Sequence, residues 1–492
     1  MMQTIDMKKL ALYLITFSLF SVFLASCKKE SGVEPIEPEP PVTEEEELSF
    51  PAKEMRAVWI TTAWGLDWPQ SDYSIESQKQ QYIAYLDKFS ELNINAVFFQ
   101  VKGMGDAFYT SPYEPWSVAI TGTRGKDPGY EVLKFMIDEA HARNIEFHAW
   151  MNPYRIATRA SSGTPYPALH SSVDSKWVVS HEKIQIYNPA LPEVRERLVD
   201  IVKDLISKYE VDGVHFDDYF YPAPSAAGQM VPDQSDYEKY GAGYSSIEDF
   251  RRGNVDNAIE AVHNMIVATK PGVVFSVSPA AGRDYNYNTM FADVAKWNQE
   301  GWVDIVIPQL YQEIGNQYND FQTNLIWWSQ NSHKAALMIG HGYYKFGDPT
   351  APAAFQSAAE LEKQFNLTRK NSKVVGNAMY SARYVMLNKV SITDQLASLY
   401  KNPAVMPFVG RAVAPAPAPV QNVKIEGNSL KWSASGDVRS VVYYFSDLKK
   451  KGEVFAITRD KSIEVSNKGY YSVSTINSDH AESVPSDVIE KK

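Results

Sequence analysis

Eight times between residues 55 and 400, a short run of β-branched or aromatic residues gives way to a helical pattern, and this alternation constrains the chain more than any other feature. The runs cover residues 56–61, 95–101, 146–152, 213–218, 273–279, 304–311, 336–343 and 376–384. The segments between them carry helix marks. Residues 193–209 follow Pro192 and place Leu198, Ile201, Val202, Leu205 and Ile206 on one face. Ser246 is placed to cap the next helix, with Asp249 three residues on, and Pro271-Gly272 stops it before the following strand. Eight consecutive strand–helix units predict an α/β fold, a (β/α)8 TIM barrel with long loops. A doubly wound open sheet is the alternative. It would need a glycine-rich phosphate turn after an early strand, and neither G-x-G-x-x-G nor a Walker sequence occurs. The nearest match, Lys102-Gly103-Met104-Gly105-Asp106, lacks the third glycine and sets an acid where a phosphate would lie, so it reads as a tight turn.

The 492 residues leave room for one large domain with smaller attachments. Hydrophobic residues at 44% and charged residues at 22% are near globular averages and argue against a disordered, fibrous or polytopic membrane chain. The formal net charge is −11, and in residues 1–47 acids outnumber lysines nine to four. The remainder is only mildly acidic and has no basic stripe, so no nucleic-acid partner is expected. A single cysteine excludes a disulfide framework and any cysteine-based metal site.

That cysteine sits at the end of a leader. Lys8-Lys9 precede an apolar run over residues 10–25, short for a membrane span and suited to a signal-peptide core. The run closes in Leu24-Ala25-Ser26-Cys27, which resembles a bacterial lipobox and implies lipidation at Cys27; a plain secretory signal is the alternative. Prolines 35, 38, 40 and 41 and the run Glu44 to Glu47 predict a solvated tether over residues 27–48. The expected organisation is a signal peptide at 1–26, the tether, a barrel at 49–410, an Ala-Pro linker at 411–420 and a small all-β sandwich at 421–492. A membrane-anchored lipoprotein, in the outer membrane on either face, follows from that leader. In the C-terminal segment, alternating runs at 423–425, 430–432, 441–445, 454–457 and 470–475 supply the sandwich strands. Tyr470-Tyr471-Ser472-Val473-Ser474-Thr475-Ile476-Asn477 resembles a closing strand of a fibronectin type III domain, and Trp432 fits that family's buried tryptophan. The sequence names no protein partner for this segment.

In barrel enzymes the site lies at the C-terminal strand ends, and alternation says which side chains face inward there. In Gly213-Val214-His215-Phe216-Asp217-Asp218, apolar Val214 and Phe216 should face the helices, which puts His215 and Asp217 on the axis. Gln309, Tyr311 and Glu313 share one parity, as do His148, Trp150 and Asn152, and Gln100 and Lys102. Carboxylates at the ends of strands four and six could converge as glycoside hydrolysis requires, one supporting or attacking the oxocarbenium-like centre and one protonating the leaving oxygen. Asp217 and Glu313 are the candidate pair, with Asp106 and Glu114 in reserve. The chain is also rich in aromatics, 29 Tyr, 11 Trp and 22 Phe, whose flat faces suit sugar rings. His215-x-Asp217-Asp218 with His148 and His341 could in principle gather a divalent ion, but no H-E-x-x-H or paired-histidine motif supports one, and no G-x-S-x-G elbow supports a serine triad. Neither metal nor cofactor is expected.

Longer motifs carry a resemblance. Met55-Arg56-Ala57-Val58-Trp59-Ile60-Thr61-Thr62, Gly65-Leu66-Asp67-Trp68-Pro69, Pro112-Tyr113-Glu114-Pro115-Trp116-Ser117, His148-Ala149-Trp150-Met151-Asn152-Pro153-Tyr154-Arg155, Asp212-Gly213-Val214-His215-Phe216-Asp217-Asp218-Tyr219-Phe220-Tyr221-Pro222 and Ile307-Pro308-Gln309-Leu310-Tyr311 resemble the bacterial glycosyl hydrolase-like 10 family over about residues 54–400. The resemblance implies a (β/α)8 glycosidase, with roles carried onto Asp217 as nucleophile and Glu313 as acid, and a substrate in cell-envelope glycan, including peptidoglycan strands stripped of peptide. Gln312 departs from the family's tryptophan after the strand-six tyrosine. The sugar-binding candidates are Trp64, Trp68, Gln100, Lys102, Asp106, Glu114, Trp116, His148, Trp150, Asn152, Tyr154, Arg155, His215, Asp218, Tyr219, Gln309, Tyr311 and His341. A lipid-anchored, endo-acting glycoside hydrolase is the leading expectation; a glycan-binding barrel without catalysis, or a glycosidase for an external polysaccharide, are the alternatives.

Overall fold

The computed structural model describes residues 48–161, 163–411 and 414–492. The signal peptide, Cys27 and residues 27–47 of the tether lie outside the described residues. Residues 48–492 form one compact unit.

Eight parallel strands close into a barrel. They are Met55–Ile60, Ala96–Lys102, Glu146–Met151, Gly213–Phe216, Val274–Val277, Ile305–Val306, Ala336–Gly342 and Val374–Tyr380. Each pairs with its neighbours in chain order, and the first closes on the eighth through Met55 opposite Gly376. All eight predicted runs are therefore strands. The sixth is shortened to two residues because Pro308 has no N–H for the ladder, and Gln309 rejoins it only through single bridges to Ala280 and Gly340.

Alternation sorts the side chains as the sequence requires. Val214 and Phe216 pack outward with the helices, whereas Trp59, Phe98 and Trp150 face the interior. Gly213 opens the fourth strand, where a Cβ would stand 2.1 Å from the His148 ring, so only glycine fits at this crowded point of the axis. The helix Pro192–Lys208 buries Leu198, Ile201, Val202, Leu205 and Ile206 against the barrel, each contributing about 1.5–3 kcal/mol of apolar burial. The Ser246 hydroxyl accepts from the Asp249 N–H at 3.1 Å, capping Ile247–Thr269. Among the described residues no helix is long and apolar enough to cross a membrane. Alternation did not reveal a small antiparallel sheet of Arg155–Thr158, Val178–His181 and Ile184–Tyr187 in the loop after strand three.

The C-terminal segment forms two antiparallel sheets, one of three strands and one of four, consistent with an all-β sandwich and compatible with the fibronectin-like reading. Trp432 is buried there and donates to Ser440 Oγ at 2.8 Å. These sheets dock on the N-terminal end of the barrel. Val405 enters their core, Arg411 bonds Asp304 at the start of strand six, and His480 bonds Glu146 at the start of strand three.

Candidate active site

The C-terminal mouth of the barrel holds a cavity of about 390 Å³ whose lining includes Trp59, Trp150, Asp217, Asp218, Tyr219, Gln309, Tyr311, Tyr344 and Tyr380. Asp217 stands at its base, just past strand four, on the inward parity. Its Oδ2 accepts from the Trp150 indole at 3.2 Å and from the Asn152 amide, and its Oδ1 from the Tyr219 N–H at 3.2 Å. Burial pushes the Asp217 carboxyl up to about 6, against the opposing pull of Arg155 and these donors. Asp218 is half-buried and is pushed up to about 7, by burial first and then by the negative charge of Asp217, while the Gln309 side chain favours its ionised form. Two adjoining carboxyl groups, both pushed up by burial, therefore share the cavity.

A scaffold of buried polar groups holds them. Asn152 Oδ1 accepts from Gln100 Nε2 at 2.7 Å, and Gln100 Oε1 accepts from the N–H groups of Thr62 and Ala63, so the loop after strand one is tied to the end of strand three. His215 lies beneath, fully buried. The Trp59 indole, which can only donate, points at its Nε2 at 3.1 Å, so Nε2 accepts and Nδ1 carries the proton toward Ser276 Oγ at 2.8 Å. Burial holds this imidazole well below its usual range, and it is a neutral positioning group. The Arg155 guanidinium sits 4.9 Å from the Tyr219 ring centroid and 5.3 Å from that of Trp64, forming a stack beside the cavity.

The remaining candidates lie elsewhere. Trp64, 63% exposed, and Asp106, paired with Arg124 at 3.2 Å, line a second cavity of about 560 Å³ with Tyr73, Met104 and Ile156. Lys102 and Glu114 are buried 3.8 Å apart behind the loop after strand two, and Glu114 also accepts from Tyr187 at 3.0 Å. Trp68, Trp116 and Tyr154 belong to the core between barrel and helices, where burial removes them from any sugar face. His148 bonds Glu146 at 3.0 Å at the opposite end of strand three. Both nitrogens of His341 are engaged at 2.9 Å, by Gln364 and Asn377, and it does not reach the cavity. Glu313, expected as the second catalytic carboxylate, is not part of the cavity lining: its Oε1 accepts from Asn316 at 2.9 Å in the loop after strand six. Gln309 is the last residue bridged to the neighbouring strands, and by Glu313 strand parity no longer says where a side chain goes.

Sequence reasoning passed over Trp59, Asp67, Tyr344, Tyr380, Ser381, Arg383 and Tyr384 as lining residues. Asp67 accepts from the Thr61 N–H at 2.7 Å, Ser381 Oγ at 2.8 Å and the Arg383 N–H at 2.9 Å, and so joins the loops after strands one and eight. Inward parity on strands one and eight could have found Trp59 and Tyr380. Among the described residues no cluster of three or more His, Cys, Asp or Glu side chains is placed to hold a metal ion.

The family model for glycosyl hydrolase-like 10 matches residues 54–356, the segment that builds this cavity through strand seven. The chain belongs to the glycosyl hydrolase-like 10 family. This family member is 38% identical over 376 residues to glycosyl hydrolase YngK of Bacillus subtilis, covering 72% of the chain and 73% of that relative. It is 34% identical over 410 residues to glycosyl hydrolase DigH of Escherichia coli, covering 75% of the chain and 92% of the relative. Among solved structures, the glycoside hydrolase domain of PgaB (BpsB) from Bordetella bronchiseptica aligns over 70% of the chain and 98% of its own length, at 12% identity and a TM-score of 0.48. The glycosyl hydrolase-like 10 chain is thus a glycoside hydrolase on a closed parallel barrel, and its substrate is a carbohydrate.

Proposed function

We propose that this glycoside hydrolase cuts the glycan strands of the cell envelope, in particular peptidoglycan strands stripped of peptide, at internal linkages, while anchored to a membrane by lipid on Cys27. The observation that carries the reading is the Asp217–Asp218 pair, set at the base of an aromatic-walled cavity at the barrel mouth. Aromatic faces stack on the C–H faces of sugar rings, and the carboxyl groups and Gln309 meet hydroxyl and amide groups at the ring edge. The second cavity, with Trp64 on its rim and joined to the first by the Arg155 stack, supports a polymer longer than one cavity holds. The leader and lipobox support the anchor.

The test is mass spectrometry of products after incubating the full-length protein, in detergent, with peptide-free peptidoglycan strands beside its Asp217→Asn variant. Short saccharides from the parent alone are the expected result. Intact strands together with cleavage of another envelope or external polysaccharide would move the substrate and leave the hydrolase in place. For the anchor, incorporation of a labelled fatty acid should disappear in Cys27→Ser.

A further inference from the structure

Glycosidases that work with two carboxylates place them on opposite sides of the scissile bond, about 5 Å or more apart, so that one attacks or activates water while the other protonates the leaving oxygen. In this cavity two of the carboxyl groups come instead from consecutive residues at one strand end. Three carboxylates line it: Asp67, Asp217 and Asp218. Asp67 accepts from the Thr61 N–H, Ser381 Oγ and the Arg383 N–H, and its part is to tie the loops after strands one and eight together. Glu313 lies outside the lining. The rest of the wall is largely aromatic, with Tyr311, Tyr344 and Tyr380, and its other polar groups include Gln309, Ser278, Ser381 and Arg383. The other two carboxyl groups belong to consecutive residues at one strand end, and they are held differently. Asp217 is gripped at the base by Trp150, Asn152 and the Tyr219 N–H, while Asp218 lies beside Gln309 and is more open to the cavity. A side-by-side pair at one strand end suits a reaction in which the substrate itself supplies the nucleophile.

We infer that the enzyme acts on a sugar bearing a 2-acetamido group and uses that group as the nucleophile, with Asp218 as the acid and then the base and Asp217 as the acceptor for the acetamido N–H. The inference rests on the hydrolase reading above and names its chemistry. In the first step the Asp218 carboxylic acid gives its proton to the glycosidic oxygen and the C1–O bond breaks. The acetamido carbonyl oxygen bonds to C1, and the positive charge on the resulting oxazolinium is stabilised by the Asp217 carboxylate at its N–H. In the second step the Asp218 carboxylate takes a proton from water, the water oxygen bonds to C1, and the bond from C1 to the acetamido oxygen breaks. The acetamido group and the acid are both regenerated, and two displacements leave the anomeric configuration unchanged. Trp59, Trp150 and Tyr311 supply apolar surface for the acetamido methyl. Asp218, pushed up by burial and by the charge of Asp217, suits the acid, and the Trp150, Asn152 and Tyr219 donors suit Asp217 to the anion.

The experiment uses the full-length protein with peptide-free peptidoglycan strands, the same strands chemically de-N-acetylated, and a thiazoline ring fused across C1 and C2 of N-acetylglucosamine as an intermediate mimic. Proton NMR of the first products should show retained configuration, de-N-acetylation should reduce cleavage by roughly 100-fold or more, and the thiazoline should inhibit competitively. Asp218→Asn should lose roughly 100-fold in kcat/KM on strands and far less in kcat/KM on a 4-nitrophenyl 2-acetamido glycoside, whose leaving group needs no proton, while kcat on that glycoside falls because the second step has lost its base. Inverted products, or equal cleavage of de-N-acetylated strands, would overturn the inference. If the parent cuts no strands, the substrate reading fails separately. Calorimetry then decides the chemistry: thiazoline binding to the parent upholds it, and absence of binding sinks it, whatever the folding of any variant.

Discussion

The third barrel strand carries ionisable neighbours at both ends, and they behave in opposite ways. At the mouth, Trp150 and Asn152 reach Asp217, whose carboxyl is pushed up by burial and sits beside another carboxyl that is pushed up further. At the bottom, Glu146 lies between His148 and His480 of the C-terminal sheets, and the imidazoles hold its carboxyl far below the usual range although burial alone would raise it. Both ends are buried and hydrogen-bonded. The sign of the neighbour decides the outcome: a carboxylate between bases stabilises the docking of two sheets onto a barrel, whereas two carboxyls together cost stability and keep a transferable proton.

Four outcomes would break or sharpen this contrast. The largest expected effect is at the mouth: Asp217→Asn should reduce turnover on the glycan by roughly 10³-fold with the fold intact by circular dichroism, and a smaller loss than ten-fold would remove Asp217 from the chemistry. Second, the pH profile of kcat/KM should be a narrow bell, rising as Asp217 ionises near pH 6 and falling as Asp218 loses its proton near pH 7; the two limbs belong to the coupled pair. A profile flat from pH 5 to 8 would deny the pair that role.

Third, stability should move in opposite directions at the two ends. The Glu146 carboxyl is lower in the fold than in the unfolded chain, so its contribution is present above the unfolded value, near 4.3, and is lost as pH falls below it. Glu146→Gln should therefore destabilise at pH 7 by about 1–3 kcal/mol in denaturant titrations. Asp218 is raised in the fold, so its ionisation disfavours the folded state above about pH 7, and Asp218→Asn should stabilise at pH 8 by on the order of 1 kcal/mol. Equal signs at the two ends would end the comparison. The smallest effect is Trp64→Ala, which should raise KM for long strands a few-fold with little change in kcat, since its ring reaches the second cavity and not the first.

Much of the fold and part of the site were legible in the chain. All eight strands, the helix after Pro192 and the Ser246 cap follow from local periodicity and capping chemistry. The placement of Asp217, Trp150, Gln309 and Tyr311 on the cavity follows from parity within strands or just past them. What did not reach the cavity were residues on loops and residues whose partners lie inside the protein. Glu313 keeps the parity of Gln309, but the chain turns after Pro308 and its carboxylate meets Asn316. Lys102, Glu114 and His148 have the right parity or motif for a site and are consumed by contacts inside the protein.

The sequence by itself determined the closed parallel barrel, the strand that presents Asp217 and the side that residue faces, because a two-residue period along a strand is local and survives any loop. Only the tertiary structure decided which second carboxyl shares the cavity with Asp217, which polar residues are struts, and that the C-terminal sheets clamp the bottom of the barrel through Glu146. Those choices depend on where chain segments far apart in sequence meet, and burial and the charge of the neighbour, which set whether a carboxyl holds or releases its proton, exist only once they have met.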